Sequence, residues 1–168
     1  MATMADGAKR VKPLTPDLYE KLLSAGAIVL LAAVIVALAK GYPHWGQVPG
    51  IVWAHLVTIL IALVLTPVML LRPRGTRLHR QLGKIWVVAM FLTAAISFGV
   101  RGSSGQFSLI HILSVFVVVM APLVWLSARQ HNIVRHRRIV RGMVTGALLI
   151  AGFFTFPFGR MLGSWLFG

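Results

Sequence analysis

The 168-residue chain contains no cysteine and only three carboxylate side chains, all of them before residue 21. Without cysteine it can form no disulfide, iron–sulfur cluster or thiolate metal site. Because no Asp or Glu follows Glu20, the remaining chain has no carboxylate for a proton relay or a cation site. Paired carboxylates, a nucleophile with its base and a phosphate-cradling loop are missing as well. The sequence therefore shows no machinery for hydrolytic or transferase chemistry, and any enzymatic activity is expected to be oxidation and reduction or electron transfer.

Apolar residues are abundant and charged residues are scarce. Hydrophobic residues make up 58% of the chain and charged residues 12%, against about a quarter in soluble proteins. The net charge of +14 would suggest nucleic acid in a soluble protein, but the basic residues flank long apolar runs and lack interleaved stacking aromatics. We therefore predict membrane lipids, including anionic lipids, as partners, and no nucleic acid. The predicted lipid-binding residues are Arg72, Arg74, Arg77, Arg80, Arg135, Arg137 and Arg138.

Five apolar runs approach the ~20 residues that a helix needs to cross a bilayer. They cover residues 22–39, 50–71, 85–100, 107–128 and 143–158, and the fifth is expected to extend to Phe167 with a kink at Pro157. Short connections rich in Gly and Pro make neighbouring spans antiparallel. The sequence thus predicts an all-α integral membrane protein with a five-helix transmembrane bundle. Residues 1–21 form its cytoplasmic amino-terminal segment and residues 22–168 its transmembrane domain.

Lys and Arg are distributed unevenly between the two sides that this topology defines. The amino-terminal segment and the second and fourth connections hold 14 of the 17. The other side holds only Lys40, Arg101 and Arg160. By the positive-inside rule, the first side is cytoplasmic. The amino terminus is then inside and the carboxyl terminus outside.

Spans two and three resemble spans four and five, which indicates an internal two-helix repeat. His55 and His111, 56 residues apart, each lie about one turn inside the start of a helix. His79 and His136, 57 residues apart, each precede an arginine and the next span. The topology places His55 and His111 in the outer leaflet and His79 and His136 at the cytoplasmic interface.

Paired imidazoles at equal depth in a helical bundle are typical of haem ligation, because haem iron takes one axial ligand on each side. We predict one haem b or two as cofactor. His55 and His111 are the candidate ligands of the first haem iron, and His79 and His136 are the candidate ligands of a second. The basic connections could pair with haem propionates.

Each histidine also has a simpler interpretation. A histidine just inside a helix end can bond to a neighbouring carbonyl, and one in an arginine-rich loop is usually solvated. His44 and His131 are predicted loop residues, although His131 could substitute for His136 as a ligand.

The order of the histidines resembles that of the cytochrome b561 superfamily. In that superfamily, histidines of alternate core helices hold haem on each side of the membrane. The resemblance implies that helix two pairs with helix four and helix three with helix five.

A second resemblance is to an uncharacterised bacterial membrane family, domain of unknown function 2306. The residues that carry it are Leu78, His79, Arg80 and Gly83 at the third span, His111 in the fourth, and His136 with Arg137 before the fifth. It covers most of the chain from about Gly50. In the family's second motif a methionine follows the histidine closely, whereas here Met143 is seven positions on. The resemblance implies the fold and a bacterial origin, but no activity. Together with the predicted topology, it indicates a multi-pass protein of a bacterial inner membrane with a periplasmic carboxyl terminus.

Two functions stay open. The first is a small inner-membrane electron-transfer protein or subunit with b-type haem, which exchanges electrons with quinone or a larger membrane complex. The second is a cofactor-free accessory or structural subunit of a respiratory or photosynthetic complex, which suits a small chain without large soluble loops. A transporter or channel is least favoured because the spans lack carboxylates.

Overall fold

The computed structural model describes residues 15–100 and 109–168, and these residues are helical with no β-strand. Their α-helices are α1 (Leu18–Lys40), α2 (Gly50–Leu71), α3 (Arg77–Ser97), α4 (Leu109–Arg129), α5 (Ile133–Gly142), α6 (Ala151–Phe153) and α7 (Met161–Phe167). A 3₁₀-helix (Tyr42–Gln47) precedes α2, and a π-helix (Met143–Ile150) continues α5 directly into α6. Residues 1–14 of the predicted amino-terminal segment, Arg101 and the start of the predicted fourth span lie outside the described residues.

Three of the described helices are long and apolar enough to cross a membrane, namely Leu18–Lys40, Gly50–Leu71 and His111–Arg129. They confirm that the chain is an all-α protein with transmembrane helices at the first, second and fourth predicted spans. The helix at the third predicted span, α3, begins with a basic stretch at Arg77, Arg80 and Lys84, so its purely apolar part is shorter.

The fifth predicted span differs from its expected form. The helix ends at Phe153, so the expected continuation through Pro157 to Phe167 is wrong. Pro157 cannot donate a helical hydrogen bond, and Phe158 and Gly159 adopt positive φ values of 65° and 67°. The chain therefore turns, and a separate short helix, α7, follows.

Side-chain caps decide where three helices begin. The Asp17 carboxylate accepts from the Glu20 backbone N–H at 3.0 Å, and the Glu20 carboxylate accepts from the Asp17 N–H at 3.2 Å, which is a capping box. Thr76 caps α3 through the His79 N–H at 3.1 Å. Asn132 caps α5 in the same way. The box starts α1 at Leu18, earlier than the predicted span, and so brings Glu20 into the helix.

The helices pack in chain order from α1 to α5, and the π-helix packs back against α1. The four helices α1 to α4 and the π-helix therefore surround a common interior, with α3 between α2 and α4. Ala27, Ala62 and Ala121 are fully buried where helices meet, since small residues let helix backbones approach closely. At the opposite end of α1, Lys40 donates to the Leu166 carbonyl at 2.7 Å and so ties α7 to α1.

Candidate functional site

A cavity of about 610 Å³ occupies the interior at the end of the helices that carries the basic connections. We call it the basic cavity. Its ionisable lining residues are Glu20, Arg74, His79, Arg80, Lys84, Arg129, His131, His136 and Arg137. The volume lies within the range of about 300–1,000 Å³ that is usual for small-molecule sites. The structure therefore brings the two predicted inner histidines, and the substitute His131, to the lining of one cavity.

The imidazole of His136 is held in a defined orientation. Its Nδ1 lies 3.2 Å from the Val124 carbonyl oxygen and 3.5 Å from the Ser127 hydroxyl. Because a carbonyl only accepts, Nδ1 carries the proton and Nε2 keeps its lone pair. Donation from one ring nitrogen to a carbonyl is the usual way in which a histidine ligand is oriented.

His79 faces the same cavity from α3. Its backbone is fixed by the Thr76 cap. The His79 Nδ1 atom is buried and has no hydrogen-bond partner within the described residues. Buried polar atoms are nearly always satisfied, so this nitrogen is of the kind that a bound ligand or water would complete.

On one wall of the basic cavity, several arginines share a single buried carboxylate. Glu20 is only 1% exposed and accepts from Arg137 at 2.7 and 2.9 Å through both of its oxygens. Arg74 pairs with the same carboxylate, and Arg141 reaches it at 3.1 Å while also pairing with Asp17. Two-point pairing of this kind is strong and geometrically specific. We call Asp17, Glu20, Arg74, Arg137 and Arg141 the acid–arginine cluster.

The predicted lipid-binding arginines fall into different environments. The guanidinium groups of Arg74 and Arg137 pair with Glu20, a role that the lipid prediction did not include. Arg80 lines the basic cavity. The remaining four are exposed and outside the cavity lining, and they are Arg72, Arg77, Arg135 and Arg138.

The outer histidine pair lies in a tighter environment. The Nδ1 of His55 donates to the Thr93 carbonyl at 3.1 Å. His55 lines a second cavity of about 140 Å³, here called the small cavity, together with Ser97 and Ser114. This volume is well below the usual range for ligand sites. His55 thus shows the simpler interpretation, a histidine bonded to a neighbouring carbonyl.

The partner of that pair, His111, is 9% exposed, and its ring lies 6.2 Å from the Phe98 ring between centroids. Among the described residues, His111 is not part of the small-cavity lining. The small cavity beside His55 does not include His111 and is smaller than usual ligand sites, and the first predicted haem stays a prediction. His44 lies in the exposed 3₁₀-helix, as expected for a connection.

Within the described ranges, no three His, Asp or Glu side chains gather as a metal site. Haem iron needs only two axial ligands from the protein, so this finding leaves the pair His79 and His136 unaffected. The basic cavity supplies two imidazoles from separate elements, a suitable volume and several cations. Of the residue clusters in the described chain, this one best fits a haem with its two propionate carboxylates.

Sequence reasoning missed the acid–arginine cluster. One signal was available, because the Asp17 and Glu20 spacing is that of a capping box and predicts that both acids join the first helix. No local pattern indicates their arginine partners on α5. The sequence also gave no reason to place Lys84 and Arg129 at the cavity.

Comparison of the chain with protein-family models, with curated proteins and with solved structures gave no match. The likeness to the cytochrome b561 superfamily and to domain of unknown function 2306 therefore stays an expectation from the residue pattern.

Proposed function

We propose that the chain is a small haem b protein of a bacterial inner membrane, with His79 and His136 as the axial ligands in the basic cavity. The observation that supports this most directly is the shared cavity of about 610 Å³, in which His136 is oriented by the Val124 carbonyl. His79 adds a buried nitrogen without a partner in the described residues. A bound haem would supply one-electron chemistry, and with two imidazole ligands this favours electron transfer over oxygen binding.

The residues of the chain have three tasks in this proposal. His79 and His136 bind and orient the group. The surrounding apolar wall, including Val124, Val140 and Val144, excludes water and lowers the local polarity. The cations of the cavity balance the negative charge of the propionates. Quinone or a larger membrane complex would be the electron partner.

The proposal includes a five-span topology with an internal two-helix repeat. Helix α3 and the continuous helix over residues 133–153 each contain 21 residues. At 1.5 Å per residue each is about 31 Å long, which matches a hydrocarbon core of about 30 Å. The excess of Lys and Arg supports a cytoplasmic amino terminus and a periplasmic carboxyl terminus.

The topology can be tested because the chain has no native cysteine. Single cysteines replace Gly75, in the second connection, and Gly46, in the first. A membrane-impermeant maleimide applied to intact bacterial protoplasts should label the Gly46→Cys variant and leave the Gly75→Cys variant unlabelled until the membrane is broken. The reverse pattern would contradict the proposed orientation.

Haem binding is tested on protein expressed in a haem-replete bacterium and purified in mild detergent. We expect a Soret band and a b-type spectrum that changes on reduction with dithionite. His79→Ala and His136→Ala should each abolish or strongly shift this spectrum. His131→Ala and His44→Ala are the matched controls and should keep it.

Two results would contradict the proposal. If His55→Ala and His111→Ala abolish the spectrum while both inner variants keep it, the outer pair is the haem site. If the wild-type protein is colourless even after titration with haem, the haem function fails. Co-purification of such a colourless protein with a larger complex would support the accessory subunit.

A further inference from the structure

The lining of the basic cavity includes three cations on α3 and α4 that do not pair with Glu20. They are Arg80, Lys84 and Arg129, and we call them the cationic rim. All three line the cavity and all three are exposed, so the cavity reaches the surface of the protein at this rim. A molecule outside the helix bundle can therefore reach the cationic rim.

The positive charge of the cationic rim is not balanced by the described part of the chain. The two carboxylate side chains that the structure describes, Asp17 and Glu20, are both paired within the acid–arginine cluster. Arg80 donates to the Gly75 carbonyl at 2.6 Å, which satisfies a hydrogen bond without neutralising the charge. An external anion would supply the missing charge.

The rim lies at the boundary between the basic connections and the apolar helices. Lys84 directly precedes the apolar part of α3, and Arg129 is the last residue of α4. The Lys84 ammonium lies 5.8 Å from the Trp125 ring centroid, and Trp125 is 38% exposed. Tryptophan with basic residues at a helix end is typical of the level of lipid head groups.

The cavity wall below the rim is apolar, with Met69, Leu70, Val87 and Val124. Cations at the entrance and an apolar wall behind them match an amphiphile with an anionic head and a hydrocarbon tail. We infer that the cationic rim binds the phosphate of an anionic phospholipid, whose acyl chain lies against this wall. The proposed haem would use the same cavity, so lipid and haem would compete for it. The lipid inference itself depends only on the exposed rim and on the predicted depth of the rim in the membrane.

Native mass spectrometry of the detergent-purified full chain tests this inference by counting bound lipid directly. Phosphatidylglycerol and phosphatidylcholine with the same acyl chains are added at equal concentration, and we expect adducts of the first to predominate. Lipid is scored by adduct mass, so lipid-bound and haem-bound protein are counted separately. The haem spectrum is a separate readout for the proposed function.

The test variant is the double substitution Lys84→Gln with Arg129→Gln. A cation near a lipid surface typically contributes a factor of about five in affinity, so the double variant should bind phosphatidylglycerol about 25-fold more weakly. The matched control is Lys21→Gln with Arg160→Gln, which removes the same charge from exposed sites outside the cavity lining. It should change binding by less than about twofold, and the conservative Lys84→Arg should retain binding, which separates charge loss from misfolding.

Three outcomes would overturn the inference. Equal loss in the control variant would mean diffuse attraction by the basic surface. Equal binding of the two lipids would mean that the phosphate charge is not recognised. Full displacement of lipid by millimolar inorganic phosphate would identify a free-anion site without a contribution from the acyl chain.

Discussion

Replacing Glu20 with glutamine removes one negative charge from the acid–arginine cluster while it preserves the size of the side chain. Glu20 is 1% exposed, whereas its partners Arg74 and Arg137 are 14% and 26% exposed. Breaking a buried ion pair by removing one partner costs about 3–5 kcal/mol. Because water can partly solvate both arginines, we expect a loss of about 2–3 kcal/mol in the free energy of unfolding.

Thermal unfolding in detergent, followed by tryptophan fluorescence, measures this loss. For a chain of this size, about 2–3 kcal/mol corresponds to a decrease in Tm of about 5–10 °C. The double variant Glu20→Gln with Arg137→Gln should recover part of the decrease, because one uncompensated guanidinium is removed. If Glu20→Gln melts within about 1 °C of the wild type, the arginines do not depend on this carboxylate and the reasoning is refuted.

Asp17→Asn is the matched control at the edge of the same cluster. The Glu20 backbone N–H lowers the pKa of Asp17 below its usual value of 3.8, and Arg141 lowers it as well. A carboxylate with a lowered pKa stabilises the fold above its unfolded pKa and loses that contribution as the pH falls through its folded pKa. The difference in Tm between wild type and Asp17→Asn should therefore be constant near neutral pH, begin to shrink as the pH approaches the unfolded value of 3.8, and vanish only below the lowered folded pKa. A difference that persists at lower pH would show that charge is not its origin.

Gly163→Ala and Trp86→Phe test the packing, and Gly146→Ala is the control for the first of them. Gly163→Ala should destabilise the protein by about 1–3 kcal/mol, because a Cβ atom there would lie 1.7 Å from the Phe156 carbonyl oxygen. Gly146→Ala, where the Cβ atom meets no side chain or other helix within 4 Å, should not lower the Tm. A decrease equal to that of Gly163→Ala would contradict the described turn. Trp86→Phe removes the indole N–H that donates to the Thr66 hydroxyl at 2.9 Å, and should cost about 1 kcal/mol in chemical denaturation. An unchanged unfolding free energy would show that water replaces this bond.

The sequence predicted the first, second and fourth spans because each is an uninterrupted apolar run of nearly full membrane thickness. It did less well where two signals compete. Helix α3 mixes a basic first half with an apolar second half, and the fifth segment contains a π-helix and then Pro157, whose turn cannot be placed from hydropathy alone. The composition of a segment indicates whether it lies in water or in lipid, but it does not indicate the path of its backbone.

The candidate site was predictable in part. The repeated spacing grouped His79 with His136, and both line the basic cavity. Thr76 caps α3 three residues before His79, and Asn132 caps α5 four residues before His136. The sequence analysis assigned the first haem to His55 and His111. A sequence cannot show that His55 is already bonded to Thr93 or that the space beside it is small. Cavity volume depends on how side chains from five separate segments meet, and no single segment encodes it.

The contact between Glu20 and Arg137 joins residues that are 117 positions apart. At ribosomal rates of about 5–20 residues per second, the arginine leaves the ribosome roughly ten seconds after the glutamate. During this interval the first helix is already made, but its acidic end has no partner from α5. We expect α1 to complete its docking only after the last helices arrive, so that chains truncated before α5 keep a loose first helix and are degraded by quality-control proteases.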